Sequence, residues 1–184
     1  MNLFRPRLVL IAVLLLLPAT ALVCISAPNL PAGGKVGDDV LSLAHISEVA
    51  LDIQPLTRRL RDRGMTAEKV VDAWTEALSD AGIQVGEDDG ETPVLRLETK
   101  ASVEEGLTGI CFASYLKVLQ PVHVPRLNRT LMVPTYVYVM GGMDSEQALA
   151  DTATTAMNIL LNGFVDRVEL ASGRVELEER EGGE

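Results

Sequence analysis

The sequence is poor in the residue types that most enzyme and metal sites require. Histidine and cysteine each occur twice, and aromatic residues make up 4% of the 184 residues. Two cysteines exclude the several disulfides of small secreted scaffolds, and two histidines leave few nitrogen ligands for a zinc site. Because aromatic side chains are scarce, Leu, Val, Ile and Ala must form most of any core.

Basic residues are also few relative to acidic ones. The chain has 16 Lys and Arg against 26 Asp and Glu, a formal net charge of −10. A nucleic-acid partner requires a basic face, often with an aromatic surface beside it, so we predict that this chain binds no nucleic acid. Anionic lipid headgroups would also repel it, unless one part of its surface differs in charge from the rest.

The N-terminus has the pattern of an export segment. Arg5 and Arg7 precede an apolar run from Leu8 to Leu17, after which come Pro18 and the small residues Ala19-Thr20-Ala21. This order of charged, apolar and small residues is typical of a secretory signal peptide.

Two other interpretations of this segment stay open. The uncharged stretch 8–27, about 30 Å long as a helix, could be a retained membrane anchor with its positive end inside. Cys24 could carry a lipid, although Val23 departs from the small residue that precedes a lipobox cysteine. Residues 1–27 are thus predicted to be a signal peptide or an N-terminal membrane anchor. All three interpretations export the folded domain, either into the periplasm or to a membrane surface facing it.

Composition divides the rest of the chain into three parts. Residues 28–44 contain several prolines and glycines, which is typical of a linker. Residues 45–171 carry the hydrophobic periodicity of a folded α+β domain. Residues 172–184 are acidic and contain glycine, so we predict a disordered tail.

Four segments have the pattern of β-strands: residues 46–53, 94–103, 109–125 and 135–140. The segment 109–125 is apolar on both faces near its middle, so we predict a central strand covered at least partly on both sides. Pro121 marks a bend or an edge within it. Residues 94–103 alternate apolar and polar side chains, and the turn 104–106 then predicts an antiparallel hairpin. Gly141-Gly142 is expected to end the last strand.

Two segments have helical patterns with matching caps. Thr66 is a good N-cap, an apolar stripe at helical spacing includes Trp74, and Gly82 supplies a C-terminal stop. We predict that Trp74, the single Trp, anchors the core. The spacing of Asp144 and Gln147 predicts a capping box for the second helix.

The predicted order of elements is β-α-β-β-β-α, with the last helix ending near Val168. Three strands in succession favour an antiparallel meander with both helices on the same face. The predicted fold class is therefore α+β, a two-layer sandwich with a four-stranded, mostly antiparallel sheet and two helices on one face. The first strand must join an edge or insert between other strands, and the sequence does not decide which.

The segment 57–64 is the densest basic cluster after the export segment, with Arg58, Arg59, Arg61 and Arg63. One interpretation is a solvated connection that balances nearby acidic residues. The other is a contact patch for an acidic partner or headgroup. These four arginines are the candidate partner-contact residues.

No arrangement of reactive residues predicts catalysis. Cys111 and His123 would lie about 40 Å apart in an extended strand, too far for a nucleophile and its base. His45 and Glu48 would point to opposite faces of a strand, and the acidic loop 87–91 lacks the ligand spacing of a calcium site. We predict a non-enzymatic protein without catalytic residues, cofactor, metal or disulfide framework, in which Cys111 is a small buried hydrophobe.

Several short segments resemble bacterial exported proteins of unknown function. They are residues 64–68 and 81–85 on either side of the first helix, residues 116–122 in the third strand, and residues 161–167 in the second helix. The likeness covers residues 45–168 and brings no catalytic motif. The element order is also similar, as a fold, to the periplasmic auxiliary lipoproteins of envelope transport systems and to the amino-terminal domain of the translocation protein TolB.

This resemblance implies a small envelope module that docks onto something larger, although the poor lipobox at Cys24 departs from the lipoproteins. We expect a binding or adaptor domain of the cell envelope with an envelope protein as its partner. The alternative is a periplasmic carrier of a small ligand or lipid, held between helices and sheet. If the adaptor binds by adding a strand, Pro121, Pro125 and Pro134 limit which sheet edge is available.

Overall fold

The computed structural model describes residues 36–103 and 109–182. The export segment with Cys24, most of the predicted linker and the turn 104–106 lie outside these ranges. In chain order the elements are α1 (Asp38–Leu41), β1 (Glu48–Ile53), α2 (Arg58–Arg61), α3 (Ala67–Asp80), β2 (Gln84–Gly86), β3 (Val94–Ser102), β4 (Ile110–Val124), a 3-10 turn (Pro125–Leu127), β5 (Arg129–Asp144) and α4 (Leu149–Gly182).

The sheet has five strands in the order β2-β1-β3-β4-β5. β1 pairs in parallel with both β2 and β3, whereas the β3–β4 and β4–β5 pairings are antiparallel. The class α+β is confirmed, and most of the paired residues are antiparallel, but the four predicted strands are corrected to five and the two predicted helices to four within the described residues. β2 was not predicted because its three residues are too few to show an alternation of apolar and polar side chains.

The first strand is inserted rather than added at an edge. β1 lies between β2 and β3 because α2 and α3 carry the chain back to the start of the sheet and β2 then runs alongside β1. The loop 87–93 joins β2 to β3 beside the start of β1, and the Asp89 carboxylate accepts hydrogen bonds there from the amides of Thr92 (2.8 Å) and Glu91 (2.9 Å). These bonds hold the pKa of Asp89 below its usual value. The acidic loop thus closes a turn between two strands.

The helices and one face of the sheet enclose a single apolar core. Its fully buried large side chains include Val49, Leu95, Leu97 and Leu116 from the sheet, and Trp74, Leu78, Leu149, Met157, Leu160 and Phe164 from the helices. Every second residue of β4 from Ile110 to Val118 is buried, while the residues between them are only half-buried. β4 is an interior strand, as predicted, with β3 and β5 as its neighbours. The expected cover on both faces is found on one face only.

The helix α3 begins and ends where its caps predict. The Thr66 hydroxyl accepts a hydrogen bond from the Lys69 amide at 3.3 Å. At the other end, the Ile83 amide donates to the Leu78 carbonyl at 2.9 Å, and Gly82 has a φ of 78°, which closes a Schellman motif. Trp74 is 1% exposed, so its predicted place in the core is confirmed.

Both flanks of the predicted domain carry helix. Residues 28–44 were expected to be a linker, but α1 lies within them, and Val40 and Leu43 are buried in the core. Residues 172–184 were expected to be disordered, and α4 instead continues to Gly182, beyond its predicted end near Val168. Lengthening an existing helix is inexpensive once its first turns are formed. The pairing of Arg174 with Glu178 at 3.0 Å suits this extension.

β5 runs straight through the glycines that were expected to end it. Gly142 lies opposite Phe112 in the β4 ladder, and a Cβ at Gly142 would lie 3.1 Å from the Phe112 ring. The missing side chain therefore leaves space for the ring. β5 ends at Asp144, whose carboxylate accepts hydrogen bonds from the Thr152 hydroxyl and the Ser145 amide. Asp144 is therefore not the N-cap that the predicted capping box with Gln147 requires, because α4 begins only at Leu149.

Gly163 marks a close approach between α4 and β5. A Cβ there would lie 2.7 Å from Cε1 of Tyr138, whose ring is held 4.5 Å from the Arg167 guanidinium. We expect Gly163→Ala to lower the free energy of unfolding by about 1 kcal/mol, because overpacking outweighs the gain in helix propensity. The measurement is urea unfolding followed by Trp74 fluorescence.

Gly173 is the matched control in the same helix. A Cβ at Gly173 meets nothing within 4 Å, so Gly173→Ala is expected to stabilise the protein by up to about 1 kcal/mol. Equal stabilisation by the two alanines would contradict the close packing of Gly163 on Tyr138.

Tyr136 makes the stability depend on pH in the alkaline range. Burial raises the pKa of its phenol to about 12, with the Arg167 cation opposing the shift. The unfolded chain loses this proton near pH 10, so the free energy of unfolding falls as pH rises from about 10 to 12. Unfolding measured across this range should show the wild type losing stability relative to Tyr136→Phe as pH rises, because only the wild type carries this phenol. A difference that does not change with pH would argue against the buried phenol.

Candidate functional site

The outer edge of β5 is the surface that best suits a partner. β5 is the last strand of the sheet, with 16 residues, whereas the opposite edge strand β2 has three. Within residues 36–103 and 109–182, the backbone hydrogen bonds of β5 belong to its ladder with β4. Val137 and Val139 project on the face away from the helices and are 49% and 47% exposed. A long strand with an unpaired edge and exposed valines is a template for strand addition.

The two faces of β5 follow from alternation and from the position of α4. Tyr136 is buried beneath the sheet, and Tyr138 packs on Gly163 with Arg167 over both rings at 5.9 and 4.5 Å. The valines between and beside the tyrosines must therefore point to the open face. The sequence showed this alternation, but only the sheet order reveals that the strand lies at an edge.

The open face next to this edge carries charges that neutralise each other. Asp52 pairs with Arg96 at 2.6 Å across β1 and β3, and Glu98 pairs with Lys117 at 2.9 Å and with Lys100 at 3.0 Å. Hydrogen bonds from Lys117 and then Lys100 hold the pKa of Glu98 below its usual value. Net charge is thus small on this face, and the exposed valines of β5 form its apolar border.

The basic cluster predicted as a contact patch lies on and just after α2. Three of its arginines have internal partners: Arg58 lies 3.4 Å from Asp62, and Arg63 and Arg59 lie 3.2 and 3.8 Å from Glu146. Glu146 belongs to the turn before α4, so these pairs tie α2 to that turn.

Arg61 differs from the other three arginines. It has no carboxylate within 4 Å among the described residues, and it is exposed. The interpretation that the cluster balances nearby acidic residues thus fits Arg58, Arg59 and Arg63. The solvated connection that it predicted is a short helix. The contact patch stays a prediction, and Arg61 is the arginine of this cluster that has no carboxylate partner among the described residues.

The reactive side chains are dispersed. Cys111 and His123 lie at opposite ends of β4, and His45 is exposed, with its amide donating to the Ser172 hydroxyl at 2.9 Å. Cys111 is half-buried on the open face rather than fully buried as predicted. No group of three or more His, Cys, Asp or Glu suited to a metal ion occurs in the described part of the chain.

None of the helices within the described ranges is both long enough and apolar enough to span a membrane.

A shallow groove of about 260 Å³ separates α3 from α4. Its walls include Met65, Trp74 and Met157, with Lys69 and Asp151 at the rim. Its volume lies just below the roughly 300–1,000 Å³ of typical small-molecule sites. The groove could hold a short apolar group.

No protein-family model matches the chain, and no curated protein does so. Among solved structures, the chain is similar to a minor lipoprotein from Acinetobacter baumannii, with 13% sequence identity and a TM-score of 0.41. The match covers 71% of this chain and 95% of that chain.

Proposed function

We propose that this chain is an exported cell-envelope protein whose folded domain is a non-enzymatic adaptor. Its partner is another envelope protein, which adds an extended strand to the outer edge of β5. The observation that carries the proposal is the length of this edge strand with its half-exposed Val137 and Val139. The export segment at residues 8–27 supports the location, either as a signal peptide or as a membrane anchor.

Strand addition fits the chemistry of this edge. Main-chain hydrogen bonds supply affinity in such complexes, and alternate side chains supply specificity. Many edge strands prevent pairing with charged residues or proline, but β5 contains no charged residue between Arg129 and Asp144. Pro134 interrupts the edge once. The stretch 135–143 is therefore the segment that a partner strand would pair with.

A photo-crosslinking residue at Val139, introduced into the full chain in its native cells, tests this proposal. We expect one recurrent envelope protein to be crosslinked in the membrane fraction, and Val137→Lys to reduce its yield strongly because a charge is placed beside the paired edge. A crosslinker at Ile159, which is 41% exposed against 47% for Val139 but lies on α4, is the control and should not capture that protein. A yield unchanged by Val137→Lys would exclude strand addition at this edge.

The same crosslinking experiment distinguishes a partner contact at β5 from a partner contact at the basic cluster. Arg61→Glu reverses a charge without breaking the internal pairs of Arg58, Arg59 and Arg63. Loss of the partner in Arg61→Glu, but not in Val137→Lys, would move the contact from β5 to the α2 patch.

A carrier of a small apolar ligand or lipid is the second candidate, and the groove between α3 and α4 favours it. This function predicts that an apolar ligand copurifies with the protein. A native mass spectrum showing only the mass of the chain would argue against it.

A further inference from the structure

The hairpin of β4 and β5 continues beyond the rest of the sheet. β3 pairs with β4 only as far as Leu119, opposite Val94, whereas the β4–β5 ladder continues to Val124 opposite Arg129. Residues 120–133, here called the arm, therefore have only each other as strand neighbours. The paired strand of the arm extends about 14 Å from Gln120 to Val124, and the 3-10 turn lies beyond it. Pro121 fits this place because one side of β4 has no strand to pair with there.

One face of the arm carries the aliphatic residues Val122, Leu131 and Val133, none of which belongs to the buried core. The pairs Val122 with Leu131 and Gln120 with Val133 lie directly opposite each other, so their side chains share a face. Val122 is 37% exposed, and Leu127 at the tip is 51% exposed. The arm thus presents apolar side chains to its surroundings outside the packed domain.

The arm also has the opposite charge to the rest of the chain. No Asp or Glu occurs between Glu105 and Asp144, whereas the whole chain has a net charge of −10. Arg126 and Arg129 are exposed at the tip of the arm. Aliphatic side chains beside arginines are the combination that binds the interface of an anionic bilayer.

Helix α1 lies close to the base of the arm. The Gln120 side-chain amide donates to the carbonyl of Ser42 at 2.9 Å, directly after α1. Residues 28–37 separate the apolar stretch 8–27 from α1, and ten extended residues span at most about 35 Å. A membrane that holds residues 8–27 would therefore lie within reach of the arm.

We propose that the arm rests on a lipid bilayer with anionic headgroups, with Leu127 and Val122 in the interface and Arg126 and Arg129 beside the phosphates. This inference rests on the proposed export of the domain but not on strand addition at β5, whose crosslinking position Val139 lies outside the arm. Each arginine near an anionic surface contributes a factor of about five to the binding equilibrium. The two arginines together contribute about thirty-fold.

The test uses the full chain with Leu127→Cys as its single cysteine, after Cys24→Ser and Cys111→Ser, labelled with a polarity-sensitive fluorophore. It is reconstituted in phosphatidylcholine vesicles with or without about one third phosphatidylglycerol. Because residues 8–27 are present in both samples, only the headgroup charge differs. We expect quenching by brominated lipid tails in the anionic vesicles alone, and a label at Ile159→Cys to stay unquenched in both.

Charge variants then test the arginines. Arg126→Gln with Arg129→Gln should shift the equilibrium between bound and free arm about thirty-fold towards free. Arg174→Gln with Arg180→Gln on α4, which removes the same charge outside the arm and outside the basic cluster, should leave it unchanged. Circular dichroism confirms the fold of each variant. The proposal would be overturned by equal quenching in both vesicle types or by no quenching in either. It would also be overturned by an equal loss of binding in the two double variants, which would indicate a response to total charge.

Discussion

Replacing Phe164 with alanine is expected to lower the free energy of unfolding by about 3–5 kcal/mol. Phe164 is fully buried at 0% exposure, in the part of α4 that packs beneath the sheet. The change removes the apolar transfer energy of the ring and leaves a cavity that the surrounding core fills only in part. Small domains are stable by about 5–15 kcal/mol, so this one substitution removes a large share of that stability.

Trp74 provides the readout for this prediction. It is the single Trp and is buried in the same core, so its fluorescence reports unfolding in urea for both proteins. Ile159→Ala is the matched control, since Ile159 lies on α4 but is 41% exposed. Its effect should stay within about 0.5 kcal/mol. A loss below about 1 kcal/mol for Phe164→Ala would mean that α4 does not pack on the sheet as described.

Replacing Ser114 with alanine is expected to destabilise the protein by about 1–3 kcal/mol. Ser114 and Thr99 are directly opposite in the β4–β3 ladder, are 0% and 4% exposed, and have their hydroxyl oxygens 3.0 Å apart. The alanine leaves the Thr99 hydroxyl buried with its partner removed. Thr99→Val, conversely, leaves the Ser114 hydroxyl buried without its partner.

The double variant tests whether the two hydroxyls form a hydrogen bond with each other or whether each substitution only removes volume from the core. Removing both hydroxyls leaves no unpaired donor, so the double variant should cost clearly less than the sum of the single ones, with a coupling of about 1 kcal/mol or more. Ser102→Ala, at an exposed position on β3, should change stability by less than about 0.5 kcal/mol. Additive losses in the cycle would show that the two hydroxyls do not interact.

The candidate docking edge could be predicted only in part. The alternation of Tyr136 and Tyr138 with Val137 and Val139 identifies a strand with two different faces. It does not tell which face meets the helices or whether another strand follows. Those answers come from α4, which packs on the tyrosines, and from the sheet order, which ends at β5. The basic cluster shows the converse, since its arginines were evident in the sequence but Glu146, which pairs with two of them, was not.

The sequence by itself determined the elements whose signals are local. The alternation of β3 placed that strand at residues 94–103, and it runs from Val94 to Ser102. The caps Thr66 and Gly82 define α3 because their hydrogen bonds lie within a few residues of each other. The burial of Trp74 follows from its place on the apolar stripe of that helix.

Only the tertiary structure decided what depends on residues far apart in the chain. β1 lies between β2 and β3 through parallel pairing with distant segments, which no local pattern encodes. β5 passes through Gly141-Gly142 because a Cβ at Gly141 would meet the Phe112 carbonyl oxygen and one at Gly142 would meet the Phe112 ring. α4 passes Val168 because Ala171 is buried in the core. In each case a contact across the fold outweighs the preference of the local sequence, because packing energies exceed the small propensities of single residues.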